Sequence, residues 1–243
     1  MNKIAIALFI FMTHSLVFAE ITCPTFFGNH MVLQRETNAN IWGWATPNED
    51  ITIQASWGEK IVTIADATGT FKTSIPTPKA GGPYELRLSG SSELVFQDVM
   101  IGEVWFCAGQ SNMQTEMAKY YKHERIKKEA QSSSVRLFTA PLMSAFENQK
   151  DIKGGQWTDS EVKNLSEFSA TAYFFGRKLE KELGVPVGLI VSAWGGRKIQ
   201  CFIPWKDQKK NETLIAQRED ALKRMTEFSK PCLLYTSPSP RDA

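Results

Sequence analysis

The residues best suited to chemistry stand where an apolar run ends in Gly109, Gln110, Ser111, Asn112 and Met113. A serine presented at the end of a buried strand can act as a nucleophile, because the strand holds its backbone in place. Gly109 lets the chain turn without a Cβ clash, and Gln110 and Asn112 carry N–H donors that suit a developing oxyanion. The alternative is an ordinary turn serine, because Gly-x-Ser is common and Met113 replaces the second glycine of a Gly-x-Ser-x-Gly elbow.

A second apolar run ends in a glycine pair. Residues 187–191 are followed by the sequence SAWGG, which ends in Gly195 and Gly196. Such a run is typical of a parallel strand buried on both faces, and the carboxyl ends of such strands line ligand sites in α/β sheets. A Gly-Gly turn can present backbone N–H groups to an oxyanion without obstruction by side chains. The alternative is a tight turn with no chemical role.

Three stretches of the chain resemble one family. They are residues 26–44, with NHMVLQR at 29–35, residues 98–113, which end in GQSNM, and residues 168–196, which end in SAWGG. All three are similar, in the same order, to segments of the sialate O-acetylesterase family, a branch of the SGNH-type esterases. Three ordered matches that cover nearly the whole chain between leader and tail are more specific than any single motif.

The resemblance implies an enzyme that removes O-acetyl groups from a sugar. Ser111 would attack the acetyl carbonyl and form an acetyl-enzyme. The oxyanion hole would consist of the N–H groups of Ser111 and Gly196, helped by the side chains of Gln110 and Asn112. The expected substrate is O-acetylated sialic acid or an acetylated polysaccharide. No cofactor is expected, and no Cys/His spacing suggests a metal.

Trp194, Gly195 and Arg197, around the glycine pair, are expected to be binding residues. Arg197 and Phe202 depart from the family pattern, which tends to have a threonine and a tryptophan at these positions. These departures bear on the shape of the acyl or sugar pocket more than on the serine-based reaction.

A serine hydrolase needs a base for the serine and an acid that orients the base. The family takes both from an Asp-x-x-His pair late in the hydrolase domain, whereas this chain has His14, His30 and His123. His14 lies in the leader, His30 belongs to the 29–35 motif, and Tyr120 stands where His123 would need an aspartate. We therefore expect roughly half of the family's length to be missing, and the chain alone to hydrolyse esters poorly or not at all.

The predicted fold is α/β with an all-β N-terminal part. Short alternating segments between turn signals predict a β-sandwich-like module over residues 20–97. Residues 98–231 predict the first part of a doubly wound α/β domain of the SGNH-hydrolase type, which is incomplete. Its predicted strands are 99–107, 135–139 and 187–191.

A helix is predicted over residues 166–183, and a second amphipathic helix over 211–228. Phe168, Ala172, Phe175 and Leu179 recur at intervals of three and four residues and give the first helix one apolar face. Gly184 stands where a C-terminal cap glycine belongs.

Both ends of the sequence are expected to lie outside the fold. Residues 1–19 combine Lys3, a short apolar run and a terminal Ala19, which is typical of a signal peptide. We expect cleavage after Ala19 and a secreted or periplasmic protein. Residues 232–243 have no counterpart in the family, and their possible codons match a transposon-end adapter used in sequencing libraries, so we expect an adapter-derived tail.

The composition is that of an ordinary globular protein, with 42% hydrophobic residues and a net charge of +2. This charge gives no reason to expect nucleic acid or an anionic membrane surface as a partner. Cys107 and Cys201 lie in apolar contexts and are expected to be buried free thiols. Two alternatives stay open: a non-catalytic glycan-binding protein built on the same fold, and a lipase or general esterase.

Overall fold

The computed structural model describes residues 19–130, 134–143 and 149–228. The predicted signal peptide, apart from Ala19, and the predicted adapter-derived tail lie outside the described residues. None of the described helices is long and apolar enough to cross a membrane.

The described residues form ten strands and seven α-helices. The strands are β1 (Val32–Gln34), β2 (Asn38–Trp44), β3 (Asp50–Ala55), β4 (Lys60–Ile64), β5 (Thr70–Pro76), β6 (Gly81–Ser89), β7 (Glu93–Gly109), β8 (Val135–Thr139), β9 (Trp157–Thr158) and β10 (Val187–Ala193). The helices are α1 (Ser111–Gln114), α2 (Met117–Tyr120), α3 (His123–Ala130), α4 (Val162–Glu167), α5 (Ala170–Leu183), α6 (Trp205–Gln208) and α7 (Glu212–Phe228).

One eight-stranded sheet runs through the described chain in the order β4-β3-β6-β7-β10-β8-β9, with β1 paired to β7. The sheet is antiparallel where β7 pairs with β6 and parallel where β7 pairs with β10. Strand β7, with 17 residues, belongs to both parts. The sheet therefore runs without a break across residues 97 and 98, and the domain boundary placed there stays a prediction.

The N-terminal strands follow from alternation of apolar and polar residues. In β3 the buried residues are Ile51, Ile53 and Ala55, every second position, as expected for a strand with one face in a core. Strands β2 and β5 form a separate two-stranded sheet, whose Ile41 and Phe71 belong to the same apolar core. The mixed α/β class is confirmed, whereas the sandwich and SGNH descriptions stay predictions.

The α/β part contains the predicted parallel strands. Strand β10 lies between β7 and β8 and is parallel to both. The predicted helix over 166–183 is interrupted, because the chain leaves α4 at Phe168 in an extended conformation. Helix α5 begins at Ala170, and the Ser169 hydroxyl caps it by accepting from the Ala172 N–H at 3.1 Å. Gly184 ends the helix with a φ of 64°, as predicted.

The apolar face predicted for this helix is partly wrong. Ala172 and Tyr173 are buried, but Phe175 is 41% exposed. The core face contains Gly176, where a Cβ would lie 2.6 Å from Leu189 Cδ1 on β10. A glycine at this position lets the helix approach the sheet closely. The Phe175 ring instead lies against the Trp105 ring, with 5.1 Å between the ring centroids.

The second half of β7 is paired on one edge only. Among the described residues, β10 is the only strand that pairs with β7 from Glu103 to Gly109, because β1 ends opposite Gly102. Two aromatic side chains on this segment are exposed, Trp105 at 41% and Phe106 at 65%. Strands of parallel sheets are usually covered on both faces, so this part of the sheet is incompletely covered.

Candidate active site

Ser111 lies directly after the long strand, as the sequence predicts. Strand β7 ends at Gly109, and the short helix α1 begins at Ser111. The Ser111 residue is exposed, and no hydrogen bond of its hydroxyl occurs within the described ranges. Its carbonyl accepts from Thr115 Oγ1 at 2.6 Å, which fixes the turn. The strand thus presents the hydroxyl to solvent at the carboxyl end of the sheet.

The parallel register brings the second predicted turn beside Ser111. Ala193 on β10 is the register partner of Gly109 on β7, and the Trp194 N–H donates to the Gly109 carbonyl at 3.0 Å. A Cβ placed on Gly195 would lie 3.6 Å from Ser111 Cβ. The two motifs, more than 80 residues apart in sequence, therefore meet at one edge of the sheet.

Two glutamines connect the turns. Gln114 Oε1 accepts from the Gly195 N–H at 2.7 Å, and Gln110 Nε2 donates to the Arg197 carbonyl. Gln110 was expected to face an oxyanion. With Nε2 engaged by Arg197, only the second amide hydrogen of Gln110 remains for that task. Gln114 was not predicted as a site residue, because its only signal in the sequence is its position three residues after Ser111.

Gly196 is the member of the pair whose N–H remains available. It is exposed, has a φ of 75°, and no atom lies within 4 Å of a Cβ built on it. Within the described residues its N–H makes no hydrogen bond, whereas the Gly195 N–H is taken by Gln114. The geometry is therefore compatible with the predicted oxyanion donor at Gly196.

The remaining predicted site residues surround the two turns. Asn112 is exposed, and its carbonyl accepts from Thr171 Oγ1 at 2.9 Å, so its backbone is held by α5. Arg197 Cζ lies 4.0 Å from the centre of the Trp194 ring, a cation–π contact. This pair gives the site a positively charged rim, in which the guanidinium lies over one face of the indole ring.

Neither described histidine serves Ser111. The His30 N–H donates to the Gln97 carbonyl, and the twelve residue steps from Gln97 to Gly109 correspond to about 40 Å along the strand. His123 begins α3 and makes no ion pair with a carboxylate in the described part of the chain. The base and its acid partner are thus not found beside Ser111 among the described residues.

Cys23 and Cys107 are poorly suited to nucleophilic chemistry. Cys107 is buried next to the site, and burial raises the pKa of its thiol, so the reactive thiolate is disfavoured. Burial raises the pKa of Cys23 to about 12. Cys23, Cys107 and Cys201 are all free, but Cys201 is exposed, which corrects the expectation that it is buried. The described residues contain no group of three or more His, Cys, Asp or Glu side chains that could hold a metal ion.

Comparison with known proteins points to carbohydrate esterases. The sequence model of the carbohydrate esterase family described as sialic acid-specific acetylesterase matches residues 101–235. Sialate O-acetylesterase of Rattus norvegicus is 32% identical over 197 residues, which cover 73% of this chain and 36% of the rat protein. The Homo sapiens enzyme is 31% identical over 197 residues, 73% of this chain and 38% of the human protein.

A solved structure is similar over a comparable share of the chain. The crystal structure of a carbohydrate acetylesterase from Xanthomonas citri superimposes with a TM-score of 0.72 at 35% identity. The match covers 75% of this chain and 42% of the Xanthomonas chain. The chain thus spans little more than a third of the length of the curated relatives it matches.

Proposed function

The chain belongs to the sialic acid-specific acetylesterase family of carbohydrate esterases, and on that premise we propose that the whole protein is a serine esterase that removes O-acetyl groups from a sugar. The observation that carries the proposal is the exposed Ser111 beside the Gly195–Gly196 turn, with the Gly196 N–H unoccupied. A nucleophile next to fixed N–H donors is the arrangement that acyl transfer requires.

In the proposed reaction, Ser111 Oγ attacks the acetyl carbonyl carbon and its proton passes to a base. The carbonyl oxygen becomes an oxyanion that accepts hydrogen bonds from the Ser111 and Gly196 N–H groups and from the Asn112 side chain. The tetrahedral intermediate collapses, the C–O bond to the sugar breaks, and the sugar oxygen takes the proton from the base. The acetyl group stays on Ser111. Water then attacks the acetyl carbon while the base takes its proton, the proton passes to Ser111 Oγ, and acetate leaves.

The base and acid of this reaction would come from an Asp–His pair outside the described residues. In a serine hydrolase, removal of the histidine alone costs on the order of 10⁶-fold in kcat. We therefore propose that this chain by itself is a poor esterase, and that the activity belongs to the longer protein.

The rim formed by Trp194 and Arg197 supports a sugar substrate. The Arg197 guanidinium lies over one face of the Trp194 ring, and its positive charge attracts the carboxylate of a sialic acid or of an acidic polysaccharide. O-acetylated sialic acid and an acetylated polysaccharide are both retained as substrates. The signal-peptide pattern at residues 1–19 leads us to propose a secreted or periplasmic site of action.

The experiment is to express the full reading frame recovered from the genomic locus and to measure acetate release from O-acetylated sialic acid, from acetylated xylan and from p-nitrophenyl acetate. Ser111→Ala is expected to abolish release, whereas Ser91→Ala, at an exposed serine in an N-terminal turn, is expected to leave it unchanged. Full activity in Ser111→Ala would refute the serine mechanism. A full-length protein that binds these sugars without releasing acetate would instead favour the glycan-binding alternative.

A further inference from the structure

A pocket lies between the loop before β1 and the segment that contains β9 and the start of α4. It has a volume of about 520 Å³, and its polar lining includes Asn29, His30, Asp159, Glu161 and Asn164. Its His30 wall lies beside Gln97, near the start of β7, and its Trp157 wall lies on β9, three strands across the sheet from Phe106 on β7. None of the lining residues is among the predicted residues of the Ser111 site, so the pocket is a separate site.

The two walls of the pocket are tied together. Trp157 Nε1 donates to the Phe26 carbonyl at 2.8 Å, and the Thr25 N–H and Oγ1 donate to the Asp151 carboxylate at 3.0 and 2.8 Å. These bonds join residues more than 120 positions apart in sequence. A pocket whose walls are connected in this way exists before any ligand arrives, which lowers the cost of binding.

His30 is held in one orientation on the first wall. Its Nδ1 donates to Asp98 Oδ2 at 2.6 Å, and Arg136 Nη2 donates to the same oxygen at 2.8 Å. His30 and Asp98 both have positive φ, 66° and 51°, which is uncommon for residues other than glycine and accompanies functional sites more often than average. With the proton on Nδ1, Nε2 is a hydrogen-bond acceptor.

Hydrogen bonds also fix the orientation of the amide and carboxylate groups that line the pocket. Asn29 Oδ1 accepts from the Gln97 N–H at 2.8 Å, which leaves Nδ2 to donate to a ligand. On the other wall, Asp159 Oδ1 accepts from Asn164 Nδ2 and from the Glu161 N–H, both at 3.1 Å. Asp159 Oδ2 and Asn164 Oδ1 remain as acceptors. The pocket thus offers both donors and acceptors, backed by the buried rings of Phe27 and Trp157.

The charge of the lining restricts the ligand. Asp159 and Glu161 are the acidic residues of the lining, which includes no lysine or arginine. An anionic ligand would therefore meet carboxylates without a compensating charge. The described residues hold no group of three that could bind a metal ion. A neutral ligand with several hydroxyl groups, each able to donate and accept, fits these conditions, and the volume is typical of small-molecule sites.

We propose that this pocket is a second carbohydrate-binding site, which takes a neutral sugar unit through hydrogen bonds to its hydroxyl groups. It does not depend on the chemistry of Ser111. A protein with such a site would hold a glycan chain at a position separate from the acetyl group that it removes.

The test is NMR titration of the ¹⁵N-labelled chain with neutral probes (xylotetraose, galactotetraose and N-acetyllactosamine) and with an anionic probe, trigalacturonic acid. We expect a neutral probe to shift the amide signals of residues 25–30 and 155–164. His30→Leu, which removes the Nε2 acceptor, is expected to weaken binding about tenfold. His123→Leu is the matched control, because it removes a histidine outside the pocket and is expected to leave binding unchanged.

A second variant guards against a loss of fold in His30→Leu. Gln156→Trp places a large ring at an exposed residue of the lining and removes none of the hydrogen bonds described above, so it is expected to block binding while the melting temperature stays the same. Three outcomes would overturn the proposal: no shift at these residues with any neutral probe, tighter binding of trigalacturonic acid, or shifts confined to residues 109–114 and 194–197. Binding that survives in Ser111→Ala would separate this site from the proposed esterase site.

Discussion

Replacement of Gln114 by leucine tests whether this side chain holds the glycine turn against Ser111. Gln114 Oε1 accepts from the Gly195 N–H at 2.7 Å, and both residues are half-buried. Leucine has a similar size but no acceptor, so the Gly195 N–H loses its partner. An unsatisfied buried donor costs about 1–3 kcal/mol, and partial exposure to water places this one at about 1–2 kcal/mol.

The effect is measurable on the chain as it stands. A loss of about 1–2 kcal/mol corresponds to a fall in melting temperature of about 2–8 °C for a chain of this size. The same free energy predicts that the Gly195 amide exchanges hydrogen roughly 5–30 times faster, because local opening of the turn becomes easier. Hydrogen exchange followed by NMR measures this amide directly, and amides in β3 serve as the internal reference.

Gln114→Glu is the matched control, since it keeps an acceptor oxygen at the same position. It is expected to preserve slow exchange at Gly195, whereas Gln114→Leu loses it. In the full-length enzyme, the leucine variant should also lower kcat by about 10- to 100-fold, because a displaced oxyanion donor misses the transition state. Equal exchange rates in the parent chain and in Gln114→Leu would show that the hydrogen bond does not hold the turn.

Three further predictions concern packing, exposure and thiol chemistry. Gly176→Ala should reduce the free energy of unfolding in urea by about 1–3 kcal/mol, because its Cβ would lie within 3.0 Å of three Leu189 side-chain carbons. Phe106→Thr should reduce self-association in light scattering, because this ring is 65% exposed beside an unpaired stretch of strand. In Ellman titration at pH 8, the exposed Cys201 should react in the native chain, whereas Cys107 should react only after unfolding.

Each of these predictions has a result that would contradict it. An unchanged unfolding midpoint in Gly176→Ala would mean that α5 can move away from β10 without cost. Self-association that persists in Phe106→Thr would locate the contact elsewhere on the surface. Rapid reaction of Cys107 in the native chain would show that the end of β7 opens in solution.

The local elements could be predicted from the sequence because short-range rules determine them. Alternating apolar and polar residues indicated β3, whose burial alternates in the same way, and a glycine with positive φ ends α5. The interruption before Ala170 escaped prediction, because Phe168 continues the helical spacing of apolar residues while the chain is extended there. The exposure of Phe175 escaped for a different reason. Gly176, rather than Phe175, faces Leu189 on β10, and periodicity alone does not indicate that contact.

Some residues of the candidate site and of the pocket could be predicted from the sequence, whereas others depend on contacts between distant segments. Ser111 and the glycine pair stood out because each follows an apolar strand-like run. Gln114 did not, because its hydrogen bond to Gly195 joins residues 81 positions apart. The hydrogen bond between His30 and Asp98, 68 positions apart, could not be predicted either, because it depends on positive-φ backbone conformations that neither residue type requires.

Most of the strands and helices, the turn that carries a serine and the turn that carries two glycines could be read from the sequence alone. These properties depend on neighbouring side chains and on the conformational range of each residue. That the two turns lie side by side depends on strand pairing between distant segments, because the register of β7 against β10 places Gly109 opposite Ala193. The same long strand carries the Asp98 partner of His30 near its start and leads to Ser111 after its end, so His30 and Ser111 lie at opposite ends of β7.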